Sequence, residues 1–102
     1  MTDRRRLLGA IAAAIDAGTR AVEEFGHGRQ LVKAVEEAGE LIVALARFRE
    51  GRGDEADVRG EVADVLITAL QVGRVIFGDD AALADAIEAK TARLLRRIEG
   101  DE

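Results

Sequence analysis

Apolar residues recur at spacings of three and four along almost the whole chain, interrupted by glycine-rich breaks. That spacing places side chains on one face of an α-helix. Leu8, Ile11, Ile15, Gly18, Val22 and Phe25 form one such stripe and predict a first helix from about Asp3 to Phe25, ended by Gly26-His27-Gly28. Leu31, Val35, Ala38, Ile42 and Leu45 predict a second helix from about Arg29 to Glu50, with Gly51-Arg52-Gly53 as the following turn. A third helix is expected from about Asp54, a plausible N-cap, to Phe77. Its apolar residues nearly encircle it, which predicts burial on most sides. Gly78 stops it, and Asp79 or Asp80 caps a fourth helix running to about Glu99, with Leu83, Ile87, Leu94 and Ile98 toward the core. No internal repeat, linker or low-complexity tract appears. Four helices joined by short turns read as one all-α domain, 1–102, folded as a compact four-helix bundle.

Composition sharpens this picture. Hydrophobic residues are 48% of the chain and aromatics 3%, Pro is absent and Ala abundant, a mix that favours helix over strand. A chain of 102 residues has a limited core, so Val32, Leu41, Val43, Leu66, Leu70 and Val75 look like surplus apolar surface. A homodimer or homotetramer with the second and third helices at its interface is therefore expected. The net charge of -5 argues against nucleic acid as the main partner. With no Cys there is no disulfide framework, thiol nucleophile or zinc–thiolate site. No apolar run reaches membrane-spanning length, and Arg4-Arg5-Arg6 is not followed by a signal-peptide core, so no membrane association and a cytoplasmic location are the default expectations.

The candidate chemistry lies in two apolar windows. From Ala34 to Ala46 the polar side chains are Glu36, Glu37 and Glu40; from Glu61 to Gly73 they are Glu61, Asp64, Thr68 and Gln71. Neither window holds a Lys or Arg. Carboxylates in an apolar setting must be neutralised, paired or metal-bound. At about 100° per residue, Glu36, Glu37 and Glu40 share roughly a 100° arc of one helix face. Glu37 and Glu40 are spaced i, i+3, as are Glu61 and Asp64, and Thr68 and Gln71 extend the second stripe. Two antiparallel helices would bring four carboxylates to one point, the logic of carboxylate metal sites in helical bundles. His27 is the single histidine and falls in a predicted loop, so ligation is all-oxygen and favours Mg²⁺ or Mn²⁺. A Glu-Glu-x-x-Glu string alone is common on solvated faces, and Lys33 with Glu37 fits an ordinary i,i+4 pair. The second acidic pair, on a helix with little solvated face, is what points to a metal.

These residues resemble the MazG-like all-α nucleoside triphosphate pyrophosphohydrolases, whose signature is Glu-Glu-x-x-Glu, a variable gap, and Glu-x-x-Asp on the next helix. The run from Gln30 to Ile42 resembles the family's second helix, Glu61 to Ile67 its third, and Ala89-Lys90-Thr91-Ala92-Arg93-Leu94 the basic helix that follows; the likeness covers about residues 25 to 98. It implies Mg²⁺-dependent conversion of a nucleoside triphosphate, (d)NTP, to (d)NMP and pyrophosphate. It also implies metal ligation by Glu37, Glu40, Glu61 and Asp64, and orientation or deprotonation of the attacking water by Glu36. Lys33, Lys90 and Arg93 are the candidate phosphate clamps, each weighed against a role as surface charge. The chain departs from several relatives in having no Trp or Tyr to stack on a base. Phe25, Phe48 and Phe77 fit core positions better than a base platform, while Gln30 and His27 are weaker nucleotide contacts.

Two alternatives stand beside this. Phosphoribosyl-ATP pyrophosphatase shares the fold and a related acidic pattern, but here Val65-Leu66-Ile67-Thr68 stands where that enzyme tends to carry a Leu-Tyr-His-like stretch. A non-enzymatic helical oligomerisation module would use the acids as solvated charge and the apolar faces as a seam.

Overall fold

The computed structural model describes residues 2–100, which contain four α-helices and no strand. Helix α1 spans Asp3–Phe25, α2 His27–Arg49, α3 Glu55–Gln71 and α4 Asp80–Glu99, with a π-helical turn at Val72–Ile76. None of these helices is long and apolar enough to cross a membrane.

The helix ends have local chemical causes. Thr2 Oγ1 accepts the Arg5 N–H at 3.1 Å, Asp54 Oδ1 accepts that of Asp57 at 2.9 Å, and Asp79 Oδ1 accepts that of Ala82 at 2.8 Å. Each satisfies an N–H that its helix leaves without a partner. The break between α1 and α2 is a single residue, Gly26, at φ 89°. It takes a left-handed backbone open to glycine, and its N–H bonds the Val22 carbonyl at 2.9 Å. His27 and Gly28 therefore begin α2, and His27 is not a loop residue as the sequence led us to expect.

The expected third helix does not run unbroken to Phe77. After Gln71 it widens into the π turn, and two glycines make this joint possible. A Cβ on Gly73 would lie 2.8 Å from Leu83 Cδ1, and one on Gly78 would lie 2.7 Å from the Gly73 carbonyl oxygen. Arg74 ties the joint together. Its Nη1 donates to the Ile15 carbonyl at 3.2 Å and to Thr19 Oγ1 at 3.0 Å, and its Nε donates to Asp80 Oδ1 at 2.7 Å.

Helices α2 and α3 form an antiparallel hairpin, and α1 packs against both. Helix α4 packs chiefly on the π turn and otherwise stands away from that three-helix body. The radius of gyration is 15.6 Å, against about 13 Å for a compact domain of this length. The four-helix architecture thus agrees with the sequence, but one chain does not close it into a compact bundle.

Burial shows the same thing. In α1 the expected face is correct at its centre: Gly18 and Val22 are buried and Ile11 and Ile15 half-buried, while Leu8 and Phe25 at its ends are exposed. In α2 the expected core stripe points outward, with Val35 and Ile42 each 68% exposed. The inward stripe is Gln30, Ala34, Glu37, Leu41 and Ala44. Val62, Leu66 and Ile67 of α3 remain exposed, as do Ile87, Leu94 and Ile98 of α4. Among the described residues Val22 is the one large hydrophobic that is buried, whereas Gln30, Glu37, Thr68 and Gln71 are buried polar groups. The centre of the three-helix body is a polar seam.

Candidate metal centre

The α2–α3 hairpin aligns the two acidic pairs. Antiparallel packing sets Glu37 opposite the turn of α3 that carries Glu61 and Asp64, and one carboxylate oxygen from each of these three lies within 4.8 Å of the others. Glu37 is buried at 4% exposure. Its Oε1 accepts from the Lys33 ammonium at 2.9 Å, one helical turn away, while its Oε2 is buried with no partner. Glu61 Oε2 is likewise buried and unpartnered. Burial pushes the Glu61 carboxyl above its usual range, and the nearby Glu40, Asp64 and Glu37 carboxylates and a hydrogen bond with Glu40 push it the same way. Lys33 is held above its ordinary value by its hydrogen bond to Glu37 and by that carboxylate's charge.

The donors fit a hard divalent cation. They are all carboxylate oxygens, two with a buried atom lacking any other partner, the kind of set that Mg²⁺ and Mn²⁺ take. Two oxygens on opposite sides of Mg²⁺ are about 4.2 Å apart at its usual bond length of ~2.1 Å. The observed spread of up to 4.8 Å needs only a small side-chain adjustment. Glu40 lies beside the trio, lining the cavity with Glu61 and Asp64.

Beside the cluster, a cavity of about 880 Å³ opens between α2 and α3. Glu36, Glu40, Glu61 and Asp64 line one end, and Arg47, Gly53, Asp54 and Asp57 also line the cavity. Gly39, Ala44, Ala56 and Gly60 keep its walls low, and a Cβ added at Gly39 or Gly60 would meet open space. The volume falls within the usual range of a small-molecule site.

The candidate residues thus separate. Glu37, Glu61 and Asp64 converge, Glu36 and Glu40 line the cavity beside them, and Thr68 and Gln71 continue the buried stripe as read from their spacing. Lys33 meets the cluster directly, as the ion partner of Glu37 rather than as an open phosphate clamp. Lys90 and Arg93 do not line the cavity; Lys90 lies in a shallow groove on α4 itself, with Ile87, Thr91 and Leu94. His27 and Gln30 are outside the cavity too, Gln30 being buried in the polar seam. Sequence reasoning missed Arg47, Asp54 as more than a cap, Asp57, Gly39 and Gly60. The signal was present: Arg47 lies seven residues beyond Glu40 and eleven beyond Glu36, hence on the same side of the helix.

Compared with known protein families, curated proteins and solved structures, the chain matches none of them.

Proposed function

We propose that the protein is a MazG-like, Mg²⁺-dependent nucleoside triphosphate pyrophosphohydrolase that converts a (d)NTP to the monophosphate and pyrophosphate, as in nucleotide-pool house-cleaning. The observation that carries this is the convergence of Glu37, Glu61 and Asp64 with two buried, unpartnered carboxylate oxygens beside a nucleotide-sized cavity. Glu37, Glu61 and Asp64 would hold the ion, with Glu40 completing the set, and Mn²⁺ suits the same donors. When bound, the ion supplies charge neutralisation for the triphosphate and a lowered pKa for bound water.

The chain's own residues do the rest. Glu36 lines the cavity at the acidic end and there orients the attacking water and accepts its proton. The water oxygen bonds to the α-phosphorus, the bond from that phosphorus to the α,β-bridging oxygen breaks, and pyrophosphate leaves with the electron pair. The small-residue walls leave room for the nucleotide, and α1 backs the hairpin so that the two acidic pairs keep their register.

The working form is a homo-oligomer, a dimer or tetramer, in the cytoplasm. It is supported by the outward apolar faces of α2 and α3 and by an α4 that leaves Ile87, Leu94, Leu95 and Ile98 exposed. Surfaces of this extent mark association. A partner copy supplies Lys90 and Arg93 as phosphate clamps, because α4 does not bring them to the cavity of its own chain. A purely structural oligomerisation module accounts for the apolar faces but gives no reason to bury the carboxylate oxygens Glu37 Oε2 and Glu61 Oε2 without a partner, which is costly.

The test is turnover with Mg²⁺ of a panel of NTPs, dNTPs and phosphoribosyl-ATP, with Glu40→Gln as control. Monophosphate and pyrophosphate from the wild type, abolished in Glu40→Gln, support the proposal. Turnover of phosphoribosyl-ATP alone reassigns the substrate to that pyrophosphatase, and no turnover by a folded protein favours the oligomerisation module.

A further inference from the structure

The cavity is longer than the metal cluster needs. Along α3, Asp64 and Asp57 are seven residues apart, and along α2 so are Glu40 and Arg47, a rise of about 10 Å on each helix. That is comparable to the span from the α-phosphate of a nucleotide to the edge of its base. With phosphates at the acidic end, the base therefore falls at the end near the α2–α3 turn.

Among the described residues Arg47 is the one cation that lines the cavity, and its guanidinium has no ion pair or side-chain hydrogen bond there. Asp57 lines the same end, and its carboxylate has no hydrogen-bond partner among the described residues. Asp54 has already given its Oδ1 to the Asp57 N–H. The turn end thus offers a forked pair of donors and a separate acceptor. Guanine presents both complements: N7 and O6 are adjacent acceptors, matched by Arg, and N1–H with the N2 amino group are adjacent donors, matched by a carboxylate. Adenine sets an amino donor beside N7 and has no N1–H. Cytosine also presents an amino donor, and uracil lacks the N7/O6 pair.

We infer that the turn end of the cavity is a base-reading slot in which Arg47 and Asp57 select guanine nucleotides. This rests on the pyrophosphohydrolase reading, which places the phosphates at Glu37, Glu61 and Asp64. Arg47 is a specificity residue and takes no part in the chemistry at phosphorus.

The experiment compares kcat/KM for GTP, ATP, CTP and UTP, with Mg²⁺, in the wild type, Arg47→Ala and Asp57→Asn. In parallel it compares the melting shifts given by GMP and AMP with Mg²⁺. GTP is expected to lead ATP by roughly tenfold to a hundredfold. Arg47→Ala brings the ratio close to one, mainly through KM, and Asp57→Asn narrows it less. Equal turnover of GTP and ATP by the wild type overturns the slot while leaving the hydrolase standing. Equal loss on all four nucleotides in Arg47→Ala makes Arg47 a phosphate contact and also overturns it. If no nucleotide turns over, the hydrolase proposal fails by itself. A larger melting shift with GMP than with AMP, lost in Arg47→Ala, would then still support the slot, and equal shifts would overturn it.

Discussion

The Lys33 ammonium lies 2.9 Å from Glu37 Oε1, and across the α2–α3 interface that same carboxylate group faces Glu61 and Asp64. A half-exposed lysine thus holds the most buried member of the acidic cluster from one side, while the other oxygen is left for a cation. Lys33 partly neutralises the cluster in the metal-free protein. Lys33→Ala should lower the melting temperature without metal, and by less when Mg²⁺ is present. Thermal melts with and without Mg²⁺ check this; an equal loss in both would show that Lys33 does not share the metal's work.

Metal binding should raise stability by linkage, because the folded chain alone assembles the three carboxylates. At a hundredfold excess over Kd the gain is about 2.7 kcal/mol. Asp64→Asn and Glu61→Gln should abolish the Mg²⁺ shift. Each should also leave the metal-free protein as stable as the wild type or more so, since each removes one of several crowded like charges. Calorimetric melts of the two variants provide the check, and loss of helicity in either would instead make these acids structural.

The raised Glu61 carboxyl gives a pH dependence of definite sign. The folded state binds this proton more tightly than the unfolded chain, whose carboxyl titrates near the ordinary value of 4.5. Its stabilising contribution is full below that value and is lost as pH rises through the higher folded value. Metal-free protein should therefore melt higher on mild acidification from neutral pH, and the Mg²⁺ shift should shrink over the same range because proton and metal compete. Melting curves at stepped pH, with and without Mg²⁺, test both. Glu61→Gln should flatten the metal-free profile.

Arg74 is the lock at the foot of α4. Its side chain is 13% exposed, and its guanidinium joins Ile15 and Thr19 of α1 to Asp80. Arg74→Ala removes three hydrogen bonds at a largely buried site and should cost about 2 kcal/mol. Arg74→Lys should recover little of it, since an ammonium lacks the planar fork. Urea unfolding midpoints measure both variants.

The outward faces of α2 make a separate prediction. Val35 and Ile42 are each 68% exposed in one chain, so in a monomer a charge there would change stability by no more than about 0.5 kcal/mol. In the proposed oligomer, Ile42→Glu should dissociate it and lower the melting temperature, and wild-type melting should fall on dilution. Sedimentation velocity over a range of concentrations decides. A monomeric wild type with an unaffected Ile42→Glu variant would refute the interface.

Much of this was legible in the sequence, and the failures share a cause. Periodicity located the helices because it depends on local geometry, and the i, i+3 acidic pairs on adjacent helices placed Glu37, Glu61 and Asp64 together. Periodicity does not say what covers an apolar stripe. Leu31, Val35, Ile42 and Leu45 read as the core of one chain, yet the residues of α2 that turn inward are Gln30, Glu37 and Ala44. The apolar face is spare because the seam within the chain is already occupied by polar groups. Arg47 escaped notice because the cation-free window ends at Ala46, one residue short of it. The π turn was not visible because it depends on the approach of Leu83 to Gly73 across two helices.

The most direct single measurement is hydrolysis of an NTP with Mg²⁺ in ¹⁸O-labelled water, with the label located by mass spectrometry. Attack at the α-phosphorus beside Glu36 puts one ¹⁸O in the nucleoside monophosphate and none in the pyrophosphate, with no label transferred by Glu40→Gln. Label in pyrophosphate or orthophosphate, or no hydrolysis by a folded and metal-responsive protein, would contradict the proposed chemistry.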